Sequence, residues 1–464
     1  MSGARLSSAI RLIASVTAIS AVMMIFAACR PDKTLIPDIP VPDDTSVTES
    51  SATEPSGKEK TGPELITLNV ALPYQESTVR FLASMYYAKK NKLWDSSYNG
   101  MNFDLTSLDA VNPDFIINST LIADEGMTST ALRSMEDSGI KPDLYLAADI
   151  NDAIGSGFAM PVNEFMGNDK AYDNDRIYAN CAMQCIKDGN SYGIPHTMSA
   201  ELIVGNSDYI PSEGRPPIIY SCDDLSEYLA KIKTEYPGVI PLMSASDLFP
   251  YIGSALNHGM RTSYMLNEEY KSTPSSANYI FTDEKEYISS LYESGLSADR
   301  DSNGASPVYS RQCALWVSSS ASLKTWEAYY PSKIYTILLP SYDADNQSPA
   351  NVHIYPLCLR AGSANGKLAC DFASFISFDT DALLLIQRLE NRSGFFPVTR
   401  SSAVWDEINN DATFGQTSYI LRQILDNAEF VPADDCDPVF RATKNYFKDF
   451  GAKDDYSLEE LYGN

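Results

Sequence analysis

From residue 65 onward the apolar positions follow two rhythms, and segments of one rhythm alternate with segments of the other. The run Leu65-Ile-Thr-Leu-Asn-Val-Ala-Leu72 is rich in branched and large apolar residues and reads as a strand. Val79, Leu82, Ala83 and Tyr86 then recur at i, i+3, i+4 and i+7, the stripe of an amphipathic helix, and Ser77 is placed to cap its start. Asp143-Leu-Tyr-Leu-Ala147, ahead of Asn151, reads as a further strand, as does Glu201-Leu-Ile-Val204. Leu225, Tyr228, Leu229 and Ile232 mark one helical face, and Tyr287, Ile288, Leu291 and Tyr292 mark another that stops at Gly295. Residues 314–317 and 334–339 read as strands, while Ala369, Phe372, Ala373 and Ile376 restore the helical spacing. Strands interleaved with helices predict an α/β protein with layered helices and sheet. No internal repeat is visible, which argues against a solenoid. A chain of 464 residues carries more core than one globule usually holds, so two lobes are expected.

The first 63 residues follow neither rhythm. Arg5 and Arg11 precede the uncharged run Leu12 to Ala28, the basic-then-apolar layout of an export signal. Phe26-Ala27-Ala28-Cys29 resembles a lipobox, in which the signal is cut before a cysteine whose sulfur receives a diacylglycerol. Residues 1–28 are therefore expected to be a lipoprotein signal peptide and Cys29 the lipidated residue, with acyl chains holding the body at a membrane. Residues 30–63 are rich in Pro, Ser, Thr, Asp and Glu and carry few residues able to bury surface, so 29–63 reads as the lipidated Cys and a disordered tether. As a flexible coil the tether would span roughly 30 Å.

Charge removes one class of partner. Lysine and arginine total 35 against 61 aspartate and glutamate, a net charge of -26, which is unsuited to neutralising phosphates. No nucleic-acid partner is expected. Of eight cysteines, Cys29 is assigned to lipid, and an odd seven remain without a metal-ligand rhythm, so a full disulfide framework is excluded. Cys181 and Cys185 lie four apart, a spacing that could pair or bind metal. With only His196, His258 and His353 in the chain no metal site is expected, and most of the thiols are read as small buried apolar groups. Phosphate-cradling glycine loops, zinc helices and Gly-x-Ser-x-Gly nucleophile turns are all absent, so no enzyme and no cofactor are expected.

Five blocks, in order, resemble the family 1 extracellular solute-binding proteins. They are Pro142-Asp-Leu-Tyr-Leu-Ala-Ala-Asp149 with Met160-Pro-Val-Asn-Glu-Phe165; Asp188-Gly-Asn-Ser-Tyr-Gly-Ile-Pro-His-Thr-Met-Ser199 running into Glu201 to Tyr209; Pro216-Pro217 with Cys222 to Leu225; Tyr309-Ser-Arg-Gln-Cys-Ala-Leu-Trp-Val317; and Leu359, the helix at 369–375 and Ser393-Gly-Phe-Phe-Pro-Val-Thr399. Each block alone is common, and their order across residues 65–400 carries the resemblance. One departure bears on specificity. Where many sugar-binding members end the alanine-rich strand with Asn-Gly-x-Trp, this chain has Ser318-Ser-Ser-Ala321, and Trp326 stands too far along to replace that tryptophan. Trp316 is read as core.

The resemblance implies a two-lobe periplasmic-binding-protein-like fold (type II) with a hinge and an interlobe ligand cleft. One lobe would comprise 65–196 plus 356–394 and the other 197–355 plus 395–464. It implies ligand-binding positions at Tyr74, Gln75 and Glu76 after the first strand, at Asp149, at His196 and Met198 in the crossover, at Tyr355, and at Phe396 in the closing turn. The implied function is the monomeric, extracytoplasmic, lipid-anchored ligand-capturing subunit of an ABC importer, delivering a sugar or oligosaccharide to membrane permease subunits. A sensory subunit for a membrane kinase and an importer of peptides or polyamines stay open at this point. A glycan-active enzyme would need a carboxylate pair about 5 to 10 Å apart in the cleft.

Overall fold

The computed structural model describes residues 65–94, 105–166, 176–256, 265–266, 272–273, 282–298, 307–342, 350–390, 394–411, 415–427 and 429–430. The export segment, Cys29, the tether and Cys436 lie outside the described residues.

The body opens as the apolar rhythm predicts. Strand β1 (Ile66–Leu72) leads into helix α1 (Glu76–Lys90), and β1 pairs in parallel with β2 (Phe115–Leu121) and β3 (Leu144–Leu146). Val79, Leu82, Ala83 and Tyr86 of α1 are buried, as the stripe requires. The helix start differs from expectation. Its N-cap is Gln75 rather than Ser77, and no side chain of its own caps it. Instead the Gln75 amide donates to the Glu390 carboxylate at 2.8 Å, so a distant acid satisfies a free donor of the first turn.

Strand β4 (Gly193–Asn206) is the spine of the molecule. Its first half, to Ala200, pairs antiparallel with β9 (Asn351–Leu359), and from Glu201 onward it pairs with β7 (Cys313–Ser319) and then β8 (Ile334–Ile337). Further pairs are β9 with β3, antiparallel, β5 (Ile240–Met243) with β7 and with the short β6 (Ser297–Ala298), both parallel, and β10 (Phe396–Pro397) with β4. The strand order is thus β6-β5-β7-β4-β9-β3-β1-β2, with β4 belonging to two sheet regions at once. A fourteen-residue strand is long for a globular protein because it has two sets of partners to serve.

Separate cores flank the two regions. Around β1, β3 and β9 lie Leu68, Val70, Leu72, Leu144, Leu357 and Leu359, sealed by α1 and by Ala369, Phe372 and Ile376 of α2 (Gly366–Phe378). Around β5, β7 and β8 lie Leu242, Leu315, Tyr335 and Ile337, packed against the 222–235 and 282–293 helices at Leu225, Leu229, Ile288 and Leu291. The helix at Cys222 begins with a full capping box, the Ser221 hydroxyl accepting from the Asp224 amide at 3.1 Å and the Asp224 carboxylate accepting from the Ser221 amide at 2.8 Å. A third core, with Trp405 at its centre, joins Met198, Ala200, Val352, Ile354 and Phe396 to Leu383, Leu384, Val404 and Leu421.

The thiols behave as small apolar groups. Cys181, Cys185, Cys222, Cys313, Cys358 and Cys370 are buried and form no disulfide. Burial pushes the thiols of Cys181, Cys222 and Cys313 each up to about 12, and that of Cys185 upward as well. Among the described residues no group of three or more His, Cys, Asp or Glu could hold a metal ion, and no helix is long and apolar enough to cross a membrane.

Candidate functional site

Both sheet regions aim the carboxyl ends of their parallel strands at the middle of β4. β1 ends at Leu72 and delivers Tyr74, Gln75 and Glu76; β3 delivers Ala148 and Asp149; β7 ends at Ser319, which pairs with Glu201. In open α/β sheets the crevice outside the carboxyl ends of strands is where ligands sit. The crossover stretch 197–201 lies between these ends.

A β-bulge shapes that stretch. Pro356 of β9 pairs with Pro195 and Tyr355 with Thr197, so His196 is an extra residue on β4 that no residue of β9 stands opposite. A bulge re-aims side chains locally. His196 is fully buried, its Nε2 hydrogen-bonded to the Tyr74 hydroxyl and its Nδ1 to Ser377 Oγ at 2.9 Å. Tyr74 is also fully buried. The pair therefore clasps the end of β1 to the crossover, and its polar atoms face each other rather than open space.

Beyond the bulge, alternation separates two faces of β4. Met198 stands opposite Ile354 and beside Phe396, and all three belong to the third core, where Phe396 stacks on Trp405 at 5.9 Å and 16°. The opposite face carries Thr197, Ser199, His353 and Tyr355. Here the Ser199 and Tyr355 hydroxyls lie 3.1 Å apart, the His353 and Tyr355 rings 4.6 Å apart, and the Nε2–H of His353 donates to the Ala148 carbonyl at 2.6 Å. That bond ties β9 to the end of β3. The structure thus gathers Tyr355 with the ends of the strands and places Met198 and Phe396 on the other side of the sheet.

The remaining candidates are divided. Gln75 and Glu76 are exposed at the start of α1. Asp149 is 2% exposed and caps the Ile150–Gly155 helix, accepting from the amides of Asn151 at 2.8 Å and Asp152 at 3.1 Å. Three groups at this place went unread in the sequence: Ser199, Ser377 and His353. His353 was open to reading, since it precedes Tyr355 by two on one strand and so shares its face. Ser377 was not, because only the fold brings it to His196.

The serine run after β7 has a structural use for each member. Ser318 Oγ accepts from the Trp326 indole N–H at 2.9 Å, and Ser319 Oγ accepts from the Ala321 amide at 3.3 Å. Ser320 Oγ accepts from the Ala200 amide at 3.0 Å and donates to the Gly394 carbonyl at 2.6 Å. Gly394 adopts φ +91°, and a Cβ there would collide with the Ser320 carbonyl, so this closing turn requires glycine. Ser320 bolts three crossing segments together.

A strand shared by two sheet regions, with the carboxyl ends of both converging on it, defines the α/β two-lobe binding-protein fold. The chain is similar in structure to the cyclic alpha-maltosyl-1,6-maltose binding protein of Arthrobacter globiformis (16% identity, 86% of this chain and 96% of that one, TM-score 0.60). It is similar also to an ABC substrate-binding protein of Listeria monocytogenes solved with cycloalternan (14%, 83% and 94%, TM-score 0.57), and to a family 1 extracellular solute-binding protein of Alicyclobacillus acidocaldarius (13%, 84% and 94%, TM-score 0.55). At these identities the likeness establishes the fold, and the resemblance of the five blocks is borne out at that level. No family model and no curated protein matches the chain.

Proposed function

We infer that this protein is a solute-binding subunit of an ABC importer and that its ligand is a sugar or oligosaccharide held between the lobes. The observation that carries this reading is the convergence of β1, β3 and β7 on the Thr197–Glu201 stretch of β4. Three of the similar structures support the ligand class, being named for or solved with cyclic alpha-maltosyl-1,6-maltose, cycloalternan and maltotetraose.

Ligand contacts on this reading come from Gln75 and Glu76, from Tyr355 with its neighbours Ser199 and His353, and from Ser319 and Glu201 of the second lobe. Aromatic faces match the apolar faces of a sugar ring, and hydroxyl and carboxylate groups match its edge. Tyr74, His196 and Asp149 act one layer behind, fixing the loops that carry these groups. A ligand touching both lobes favours the closed form by its difference in affinity between closed and open forms, and no covalent step is required. The permease would recognise the closed form. Cys29 would carry the lipid that keeps the body on the outer face of the cytoplasmic membrane.

Small-angle X-ray scattering tests the reading. Maltotetraose, xylotetraose, cellotetraose and mannotetraose are added in turn at millimolar concentration. Contraction of the body with at least one of them is expected. An unchanged scattering curve with all four, in a protein that contracts with an amino acid or a polyamine, would overturn the ligand class.

A further inference from the structure

Outside the cleft, three aromatic rings lie together on the surface of the second lobe. Tyr309, just before β7, is 55% exposed, and Tyr329, at the end of the Leu323–Tyr329 helix, is 48% exposed. Trp326, half-buried one turn earlier, lies 5.5 Å from Tyr309 and 6.3 Å from Tyr329, and the two tyrosines are 5.0 Å apart. The group rests on a rigid base. Trp326 packs edge-on against buried Trp316 at 5.1 Å, Trp316 stacks on Tyr330 at 5.4 Å, and the Arg311 guanidinium covers Tyr330.

Polar bonds fix the rings further. The Trp326 N–H is spent on Ser318 Oγ at 2.9 Å, which sets the plane of the indole, and Arg311 Nη2 donates to the Tyr329 carbonyl at 2.6 Å, which fixes the helix end. Rings held this way lose little entropy when something stacks on them. Ser318 is also the last but one residue of β7, so the platform begins at the cleft end of that strand and runs back along it to Tyr309.

We propose that Tyr309, Trp326 and Tyr329 form a surface platform that binds a glycan chain outside the cleft. Sugars present flat C–H faces that stack on aromatic rings, while the outward tyrosine hydroxyls reach the ring edges. Area decides against a protein partner. Three partly exposed rings offer on the order of 300 Å², whereas a stable protein interface takes about 800 Å² from each side. Among the described residues charged groups accompany the rings, with Arg311, Lys324 and the Lys333–Asp208 ion pair at 2.5 Å. The platform rests on the cleft reading for its ligand class alone, and it would hold a long chain beside the cleft while one end enters.

Affinity electrophoresis tests this directly. The protein is run in native gels cast with soluble starch, mixed-linkage β-glucan, xylan or mannan, beside gels without polysaccharide. Retardation in at least one gel is expected, reduced at least about fivefold in the Y309A/Y329A double variant and largely kept in Y309F/Y329F. Melting curves of both variants should overlie that of the parent, since both tyrosines are surface residues. No retardation in any gel, or equal retardation of the parent and Y309A/Y329A, overturns the proposal. Retardation that depends on the tyrosines, without contraction by any tetrasaccharide, leaves the platform standing and removes the cleft reading. Contraction without retardation does the reverse.

Discussion

The Tyr74 hydroxyl and His196 Nε2, from residues 122 apart in sequence, meet in a hydrogen bond deep inside the body. One group ends the first strand and the other is the extra residue of the bulge in the shared strand. Both are fully buried, so the bond satisfies polar atoms that water does not reach. This contact sets where the loop Gln75–Glu76 stands relative to the crossover, and it gives the first prediction. Tyr74→Phe should lower unfolding stability by about 1–3 kcal/mol, the cost of a buried polar atom losing its partner. Chemical denaturation reads this as a lower midpoint with an unchanged slope.

The two faces of β4 should separate in mutagenesis. Phe396→Ala removes a ring stacked on Trp405 and should cost about 3–5 kcal/mol of stability. Phe396→Leu, which keeps most of the volume, should leave sugar affinity near that of the parent. Tyr355→Phe should instead weaken sugar binding about tenfold in calorimetric titration, with a stability cost of about 1–3 kcal/mol as the buried Ser199 hydroxyl loses its partner.

Asp149 is a helix cap before it is anything else. Asp149→Ala should cost about 1 kcal/mol, and Asp149→Ser should restore most of it, because a serine hydroxyl can accept from the same amides. Asp149→Ser should also keep sugar affinity near that of the parent in calorimetric titration, since Asp149 stands one layer behind the ligand.

Buried thiols predict a pH dependence. Cys181, Cys222 and Cys313 are each pushed up to about 12 in the folded protein, whereas an unfolded cysteine ionises near 8.5. A folded pKa above the unfolded one contributes stability that is fully present below about 8.5 and is lost as pH rises toward 12. The denaturation midpoint should therefore fall between pH 8.5 and 11. Over the same range, iodoacetamide should label these thiols only after denaturant is added.

What the sequence made legible was whatever depends on local spacing. The stripe Val79, Leu82, Ala83 and Tyr86 marks α1 because a helix face repeats every three to four residues, and Leu225, Tyr228, Leu229 and Ile232 mark the 222–235 helix by the same rule. The crossover block 188–199 was legible as a resemblance. The sequence did not reveal what long-range pairing decides. Ser77 looked like the cap of α1, yet Glu390 supplies an acceptor at Gln75 instead, and no local rule places residue 390 there. His196 stood out as one of three histidines, but its burial between Tyr74 and Ser377 follows from a bulge in the pairing with β9. The serine run 318–320 read as the loss of a stacking tryptophan, and only the fold shows that Ser320 joins Ala200 to Gly394.

The most direct test of the central claim is a thermal-shift screen of the protein against sugars, oligosaccharides, amino acids, peptides and polyamines. A ligand that binds only the folded state stabilises it by about 2.7 kcal/mol at a hundred times its dissociation constant, enough to raise the melting temperature by several degrees. The account predicts such a rise with at least one sugar or oligosaccharide and with none of the other classes. A rise confined to peptides or polyamines, or none with any compound, would contradict it.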